Sequence, residues 1–310
     1  MKELLRRPWF GPLSALLLLY ALFCGVAPET FPGGANLFTM LRQTVVVAIG
    51  SVGMTYVIIL GGIDLSIGSS VALTTVVVAR ALQAHASPLT AAALGLLVPA
   101  FAGLCNGGLI AGLRIPPFIV TLGTMSLLRG AAKGLSGEQK IDADPRGLDT
   151  WMTPAGHVLF PPGVWLAILA ATVAALVLRY AVFGRHVVAI GSNEQTARLC
   201  GVPVARVRLA VYALAGALAG LAGILEFATL TVGDPTDSIG LELEVIAAVV
   251  IGGASLSGGQ GSIVGAMVGA LLMTEIKTGC THVGLPNWVQ EILTGGIIVV
   301  AVAIDRFRKR

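Results

Sequence analysis

What most limits the folds open to this chain is the recurrence of long apolar runs. A helix crossing the roughly 30 Å hydrocarbon layer needs about 20 predominantly apolar residues at about 1.5 Å of rise each. Runs of that kind fall at about 12–28, 41–60, 67–84, 89–113, 115–133, 163–183, 207–231, 242–254, 262–277 and 288–304. With 55% hydrophobic and 12% charged residues, against a soluble norm of about 25% charged, a water-soluble core is excluded. The expectation is an all-α polytopic membrane protein of about ten transmembrane helices, forming one transmembrane domain over residues 1–310. The third, eighth and ninth runs are short or glycine-rich, so their ends are soft. The first run follows Lys2, Arg6 and Arg7 and lacks a small-x-small site after it, which favours an uncleaved anchor over a signal peptide.

The net charge of +4 says less about partners than where the basic residues fall. With the N-terminus in the cytosol, the inner set is Lys2, Arg6, Arg7, Arg114, Arg179, Arg185, Arg198, Arg206, Arg208, Arg306, Arg308, Lys309 and Arg310, 13 of the 20 basic residues. An even number of spans then puts both termini in the cytoplasm, with lipid as the surrounding partner and no nucleic acid implied. The four cysteines, Cys24, Cys105, Cys200 and Cys280, lie far apart without a C-x-x-C pair. They read as small core residues, with no metal site or disulfide framework.

Two polar loops interrupt the apolar pattern. The outer one, about 135–162, carries Glu138, Asp142, Asp144 and Asp149. The inner one, about 185–208, has the marks of a short capped helix: Ser192 as N-cap with Gln195 three residues on, Glu194 in the first turn, Gly201 at the stop and Pro203 beyond. Such a helix fits a docking element and a helix lying on the membrane surface equally well.

An internal echo, G-G-I-D-L-S-I-G at 61–68 and G-G-A-S-L-S-G-G at 252–259, closes two apolar runs. Paired glycines break helices, and interrupted helices in corresponding halves point to a solute path in transporters. A chance reuse of a glycine-rich turn would look the same. Gly103 with Gly107, Gly216 with Gly220, and Gly261, Gly265 and Gly269 recur every fourth position, the spacing of tightly packed membrane helices.

Candidate pathway residues are Gly61, Gly62, Asp64, Ser66, Asn106, Phe118 and Thr121. A carboxylate near membrane depth is costly and usually functional, yet Asp64 just before an apolar run also suits a helix cap, with Ser66 sharing either role. Asn106, Thr121 and Thr124 offer uncharged hydrogen bonds to a polyol or to a neighbouring helix. Phe118, after Pro116 and Pro117, suits the apolar face of a sugar or simple packing. Glu226, Glu275 and Glu291 lie near span ends and are expected at the interface. No G-x-x-x-x-G-K-[ST] loop, H-E-x-x-H or G-x-S-x-G occurs, so nucleotide hydrolysis by a phosphate loop, zinc proteolysis and serine hydrolysis find no support, and no catalytic residue is assigned.

The stretches G-M-T-Y-V-I-I-L-G-G-I-D-L-S-I-G-S, I-P-P-F-I-V-T-L-G-T, A-I-G-S-N-E-Q-T-A-R-L-C-G-V and V-I-G-G-A-S-L-S-G-G-Q-G-S resemble the ribose-type permeases of bacterial ABC sugar importers, from about Leu37 to Arg310. The resemblance implies a non-enzymatic translocation subunit in the bacterial inner membrane that pairs with a second permease copy or paralogue. It implies a periplasmic sugar-binding protein that delivers a pentose or hexose, and cytoplasmic ABC ATPase subunits that bind the ATP and Mg, with no cofactor in this chain. Ser192, Asn193, Glu194, Gln195, Ala197, Arg198 and Gly201 then match the segment that couples to the ATPase. Permeases for an autoinducer or nucleoside are the nearest alternatives. An ion-coupled secondary transporter would be expected to carry a chain of intramembrane ionisable groups, for which Asp64 is the one candidate.

Overall fold

The computed structural model describes residues 10–154 and 160–307. Six basic residues of the expected inner set, Lys2, Arg6, Arg7, Arg308, Lys309 and Arg310, lie outside the described residues, as do His157 and positions 155–159 of the outer loop. Twelve α-helices account for most of the described chain: α1 Phe10–Val26, α2 Gly34–Ile59, α3 Ile67–Gln83, α4 Pro88–Leu113, α5 Pro117–Ser136, α6 Pro162–Tyr180, α7 Val182–Ser192, α8 Glu194–Leu199, α9 Val204–Leu230, α10 Leu241–Ile251, α11 Ile263–His282 and α12 Asn287–Phe307. A two-residue strand β1, Ile141–Asp142, pairs antiparallel with β2, Val232–Gly233.

Each of the ten apolar runs contains a helix, and α2, α4, α6, α9 and α11 are long and apolar enough on their own to cross a membrane. The chain is an all-α polytopic membrane protein. Helix α10 is short, as the eighth run suggested: its 11 residues reach about 16 Å at 1.5 Å per residue, half a bilayer. The rest of that crossing is a chain of turns leading from β2 into α10, with Gly233 against Thr75 and Val76 and, farther along, Ser238 and Glu242 against Gly68 in the first turn of α3. Helix α3 likewise begins at depth, because Ile67 and Val245 both lie beside Gly50, well inside α2. Two half-buried helix starts therefore meet inside the bundle, the arrangement of discontinuous helices in transporters.

Close approach holds the bundle together. A Cβ on Gly103, Gly216 or Gly220 would run into the facing backbone at Tyr212, Pro99 or Gly95, so α4 and α9 touch along their backbones. Gly265 and Gly269 do the same for α11 against Gly252 and Ala248 of the α10 region. Lipid tails give little apolar driving force between helices, so this packing is what associates them. From Thr44 to Leu60, α2 is buried without interruption, which makes it the central post. Of the cysteines, only Cys280 is buried; Cys105 and Cys200 are exposed and Cys24 is partly so, because their helix faces point away from the bundle.

Candidate functional site

A cavity of about 620 Å³ opens at the rim where α2 begins and α11 ends, within the roughly 300–1,000 Å³ typical of small-molecule sites. Its walls come from α2, α9, α11 and α12, and its floor from the chain entering α10. The lining runs down α2 from Asn36 to Val47, a descent of about 16 Å along a helix. Asn36, Arg42, Gln43, Glu226, Asp237, Glu244 and Lys277 supply hydrogen-bonding and charged groups of both signs. Lys277 Nζ lies 2.6 Å from Glu244 Oε1, and among the described residues no Trp, Tyr or Phe lines the cavity. The floor is fixed from behind by α5, whose Arg129 donates through Nη1 to the carbonyls of Pro235 at 3.0 Å and Asp237 at 2.7 Å. The sequence did not group these residues as a site, because Asn36 and Asp237 fall between the apolar runs and Arg42, Gln43, Glu226, Glu244 and Lys277 sit near the ends of four different ones. Glu226, expected at the interface, lines the cavity instead. Glu275 is wholly buried, 0% exposed, since its face of α11 is covered by α1.

Most of the candidate pathway residues form a polar knot elsewhere, against α4 and α5. Asp64, 2% exposed, accepts through Oδ1 from the Ser66 amide at 2.9 Å and the Ser66 hydroxyl at 2.6 Å. Asn106 Nδ2 donates to Ser66 Oγ at 3.4 Å, and Thr124 donates to Asn106 Oδ1 at 2.6 Å. Thr121 donates to the Ile63 carbonyl at 3.1 Å. These bonds fold the Gly61–Ser66 segment onto its neighbours, and none of these residues lines the cavity. Gly61 takes φ +86°, and Gly62 gives room to the ring oxygen of Tyr212. Phe118 stands apart from the knot, 51% exposed on the outer side of α5, because α5 packs through its Val120 and Thr121 face.

At the opposite rim the polar segment is more ordered than its sequence suggested. Residues 182–192 form α7, so the Ser192 hydroxyl is used by that helix, donating to Val188 O at 2.8 Å. Ser192 is therefore not the cap of the next helix. Asn193 is, accepting from Thr196 N at 2.9 Å. Glu194 binds Arg198 at 2.9 Å and Arg208 at 2.7 Å, tying α8 to α9. Burial alone would raise the Glu194 carboxyl, but hydrogen bonds and charge from Arg208 and Arg198 outweigh it and hold it below the ordinary 4.5. Gly201 ends the segment at φ +82°. Ala197 is 4% exposed and turned into the bundle, so it is part of the seat of α8 and not of its outer face. That face carries Gln195, Thr196, Arg198, Leu199 and Cys200; Leu199, at 88% exposed, is an apolar side chain in full solvent contact.

Residues 36–302 match the family described as branched-chain amino acid transport system / permease component. The chain belongs to this permease family. The permease is 38% identical to the ribose import permease protein of Escherichia coli K12 over 296 residues, 94% of this chain and 92% of that protein. It is 35% identical to the L-arabinose ABC transporter permease protein of Azospirillum brasilense over 96% of this chain and 88% of that one. It is also 35% identical to the autoinducer 2 import system permease protein of Yersinia pseudotuberculosis over 94% and 83% respectively. No solved structure matches the permease.

Proposed function

We propose that this permease is the membrane-spanning subunit of an ATP-driven importer in the bacterial inner membrane and carries a monosaccharide inward. The observation that carries this is the likeness to ribose and arabinose permeases along almost the entire chain. The cavity fits it in chemistry: mixed donors and acceptors with charges of both signs suit a neutral polyhydroxylated solute. Without an aromatic platform to stack on a sugar face, retention is weak and selection falls to a separate binding protein. The cavity rim then faces the periplasm and receives solute from that protein, while α8 and both termini face the cytoplasm. Cytoplasmic ATPase subunits bind the ATP and Mg, and a second permease copy or paralogue completes the path. The Yersinia relative favours a second solute class, an autoinducer, through the same path.

The exposed apolar Leu199 at the tip of α8 is the docking anchor for the ATPase, flanked by Arg198 and Gln195. Replacing it with Asp places a carboxylate where an apolar pocket would close, at a cost of several kcal/mol. Co-purification of the ATPase subunits with Leu199→Asp is expected to fall by more than about tenfold, which corresponds to about 1.4 kcal/mol, while membrane insertion is unchanged. Retention at the wild-type level would remove α8 from the docking role. Labelling of Asp149→Cys by an impermeant thiol reagent from the periplasmic side checks the orientation; labelling only after permeabilisation would reverse it.

A further inference from the structure

Gly191 stands one residue before the end of α7, in helical conformation, where glycine is less favourable than alanine. It is not the residue that ends the helix, since Asn193 does that with extended backbone. Contact explains it instead. A Cβ at Gly191 would overlap the carbonyl oxygen of Ile59 and come within 2.7 Å of the Gly259 amide nitrogen. Those two atoms are themselves joined, Gly259 N donating to Ile59 O at 2.8 Å. A Cβ on Gly258 would lie 2.7 Å from Gly191 O and 3.1 Å from the Gly61 Cα, and one on Gly259 would lie 2.6 Å from Ser192 Oγ. The end of α2 at the first helix break, the loop of the second break and the end of α7 thus meet backbone to backbone at a single point. Only Ser192 and Asn193 separate Gly191 from α8.

We infer that Gly191 is a positioning residue for transport: it lets α7 seat against both helix breaks at once, so that a displacement of α8 carries both breaks with it. This rests on the docking role of α8 proposed above. A side chain at 191 would wedge α7 away from Ile59 and Gly259, and ATP would be hydrolysed without moving the path. Because the three segments travel together, a tether between α7 and the second break should not hinder transport.

The test uses the permease with its ATPase subunits and binding protein in proteoliposomes. Gly191→Ala is expected to keep the ATPase subunits bound and basal hydrolysis within about twofold, while solute uptake per ATP hydrolysed falls by about tenfold or more. A purely structural defect would lower hydrolysis and uptake together and leave their ratio unchanged, which would overturn the inference, as would normal uptake. If the alanine variant does not insert, a chain with its four cysteines replaced by serine and carrying Ser192→Cys with Gln260→Cys is joined by a short thiol cross-linker. Uptake after cross-linking should match that of the same chain before it, and loss reversed by reductant would show that the segments must separate, overturning the inference. Failure of the wild-type chain to bind any ATPase subunit strikes the docking role itself and is read separately.

Discussion

After α2 and after α10 the chain leaves its helix through the same pair of hydrogen bonds: Gly61 N to Ile58 O with Gly62 N to Val57 O, and Gly253 N to Val250 O with Ala254 N to Val249 O. Both are the glycine stop in which the residue past the cap turns left-handed, at φ +86° and +93°. Beyond the stop the two segments diverge. The first break restarts as α3 at Ile67 and is pinned by side chains, with buried Asp64, Ser66 and Asn106 and half-buried Thr124 in one hydrogen-bonded chain. The second runs on to Ser262 before α11 begins, holds itself by backbone bonds such as Ser255 N to Gln260 O, and turns left-handed twice more at Gly258 and Gly259. The first break is tied to neighbouring helices through polar side chains, whereas the second, which also uses Ser255 Oγ to accept from Ser257 N at 3.3 Å, has no room for side chains at Gly258 and Gly259.

Added bulk should separate the two breaks most strongly. A Cβ at Gly61 meets nothing within 4 Å, so Gly61→Val is expected to cost chiefly the left-handed strain, roughly 1–2 kcal/mol. Gly258→Val carries the same strain and in addition presses on Gly191, adding about 1–3 kcal/mol of overpacking. Thermal unfolding in detergent should therefore show the larger drop for Gly258→Val; equal drops would mean that the second break is not tightly seated.

Removing a polar side chain should act in the opposite sense, on the first break. Asp64→Ala strands the Ser66 amide and hydroxyl in a buried site, at about 1–3 kcal/mol. Asp64→Asn keeps a carbonyl acceptor for both and should retain stability and uptake within about threefold. An Asn variant that unfolds no earlier than wild type yet no longer transports would instead make Asp64 a solute contact. Thr124→Val removes one bond to Asn106, worth about 1 kcal/mol, and its unfolding midpoint should fall between those of Asp64→Asn and Asp64→Ala.

These differences bear on how much the sequence alone could reveal. The apolar runs marked ten of the twelve helices, because burial in lipid demands apolar side chains residue by residue. The echo marked both breaks because glycine pairs stop helices, although the matching hydrogen bonds align Gly61 with Gly253, one position away from the Gly252 that the letter-by-letter match aligns with it. The short eighth run, 242–254, already marked the half-length of α10, but the polar D-P-T-D-S-I-G stretch before it gave no sign that it reaches the first turn of α3. The cavity was not legible, because Asn36, Gln43 and Glu244 converge only after α2, α10 and α11 pack. At α8 the cap was off by one residue: α7 takes Ser192 for itself, a helix that Arg185 and His186 had disguised as polar loop. Leu199 did carry a signal, an apolar residue in an otherwise polar segment.

The smallest effect belongs to the outer face of α8. Arg198 is largely exposed and its pair with Glu194 shared with Arg208, so Arg198→Ala should change stability by no more than about 0.5 kcal/mol. Glu194 is held below its ordinary value, so its share of stability is fully present above the unfolded value and is lost only as pH falls through the lower folded one. Unfolding midpoints of this variant and wild type should therefore keep a constant gap from about pH 6 to about pH 8. A gap that opens in that window would mean that Glu194 titrates there.

Whether this permease works as one part of an ATP-driven importer is decided by solute uptake into proteoliposomes holding it with its ATPase subunits, assayed with labelled ribose or arabinose. Uptake that requires the ATPase subunits, ATP on their side and the binding protein on the other is the predicted result. Uptake by this chain alone, driven by a proton or sodium gradient, would contradict it.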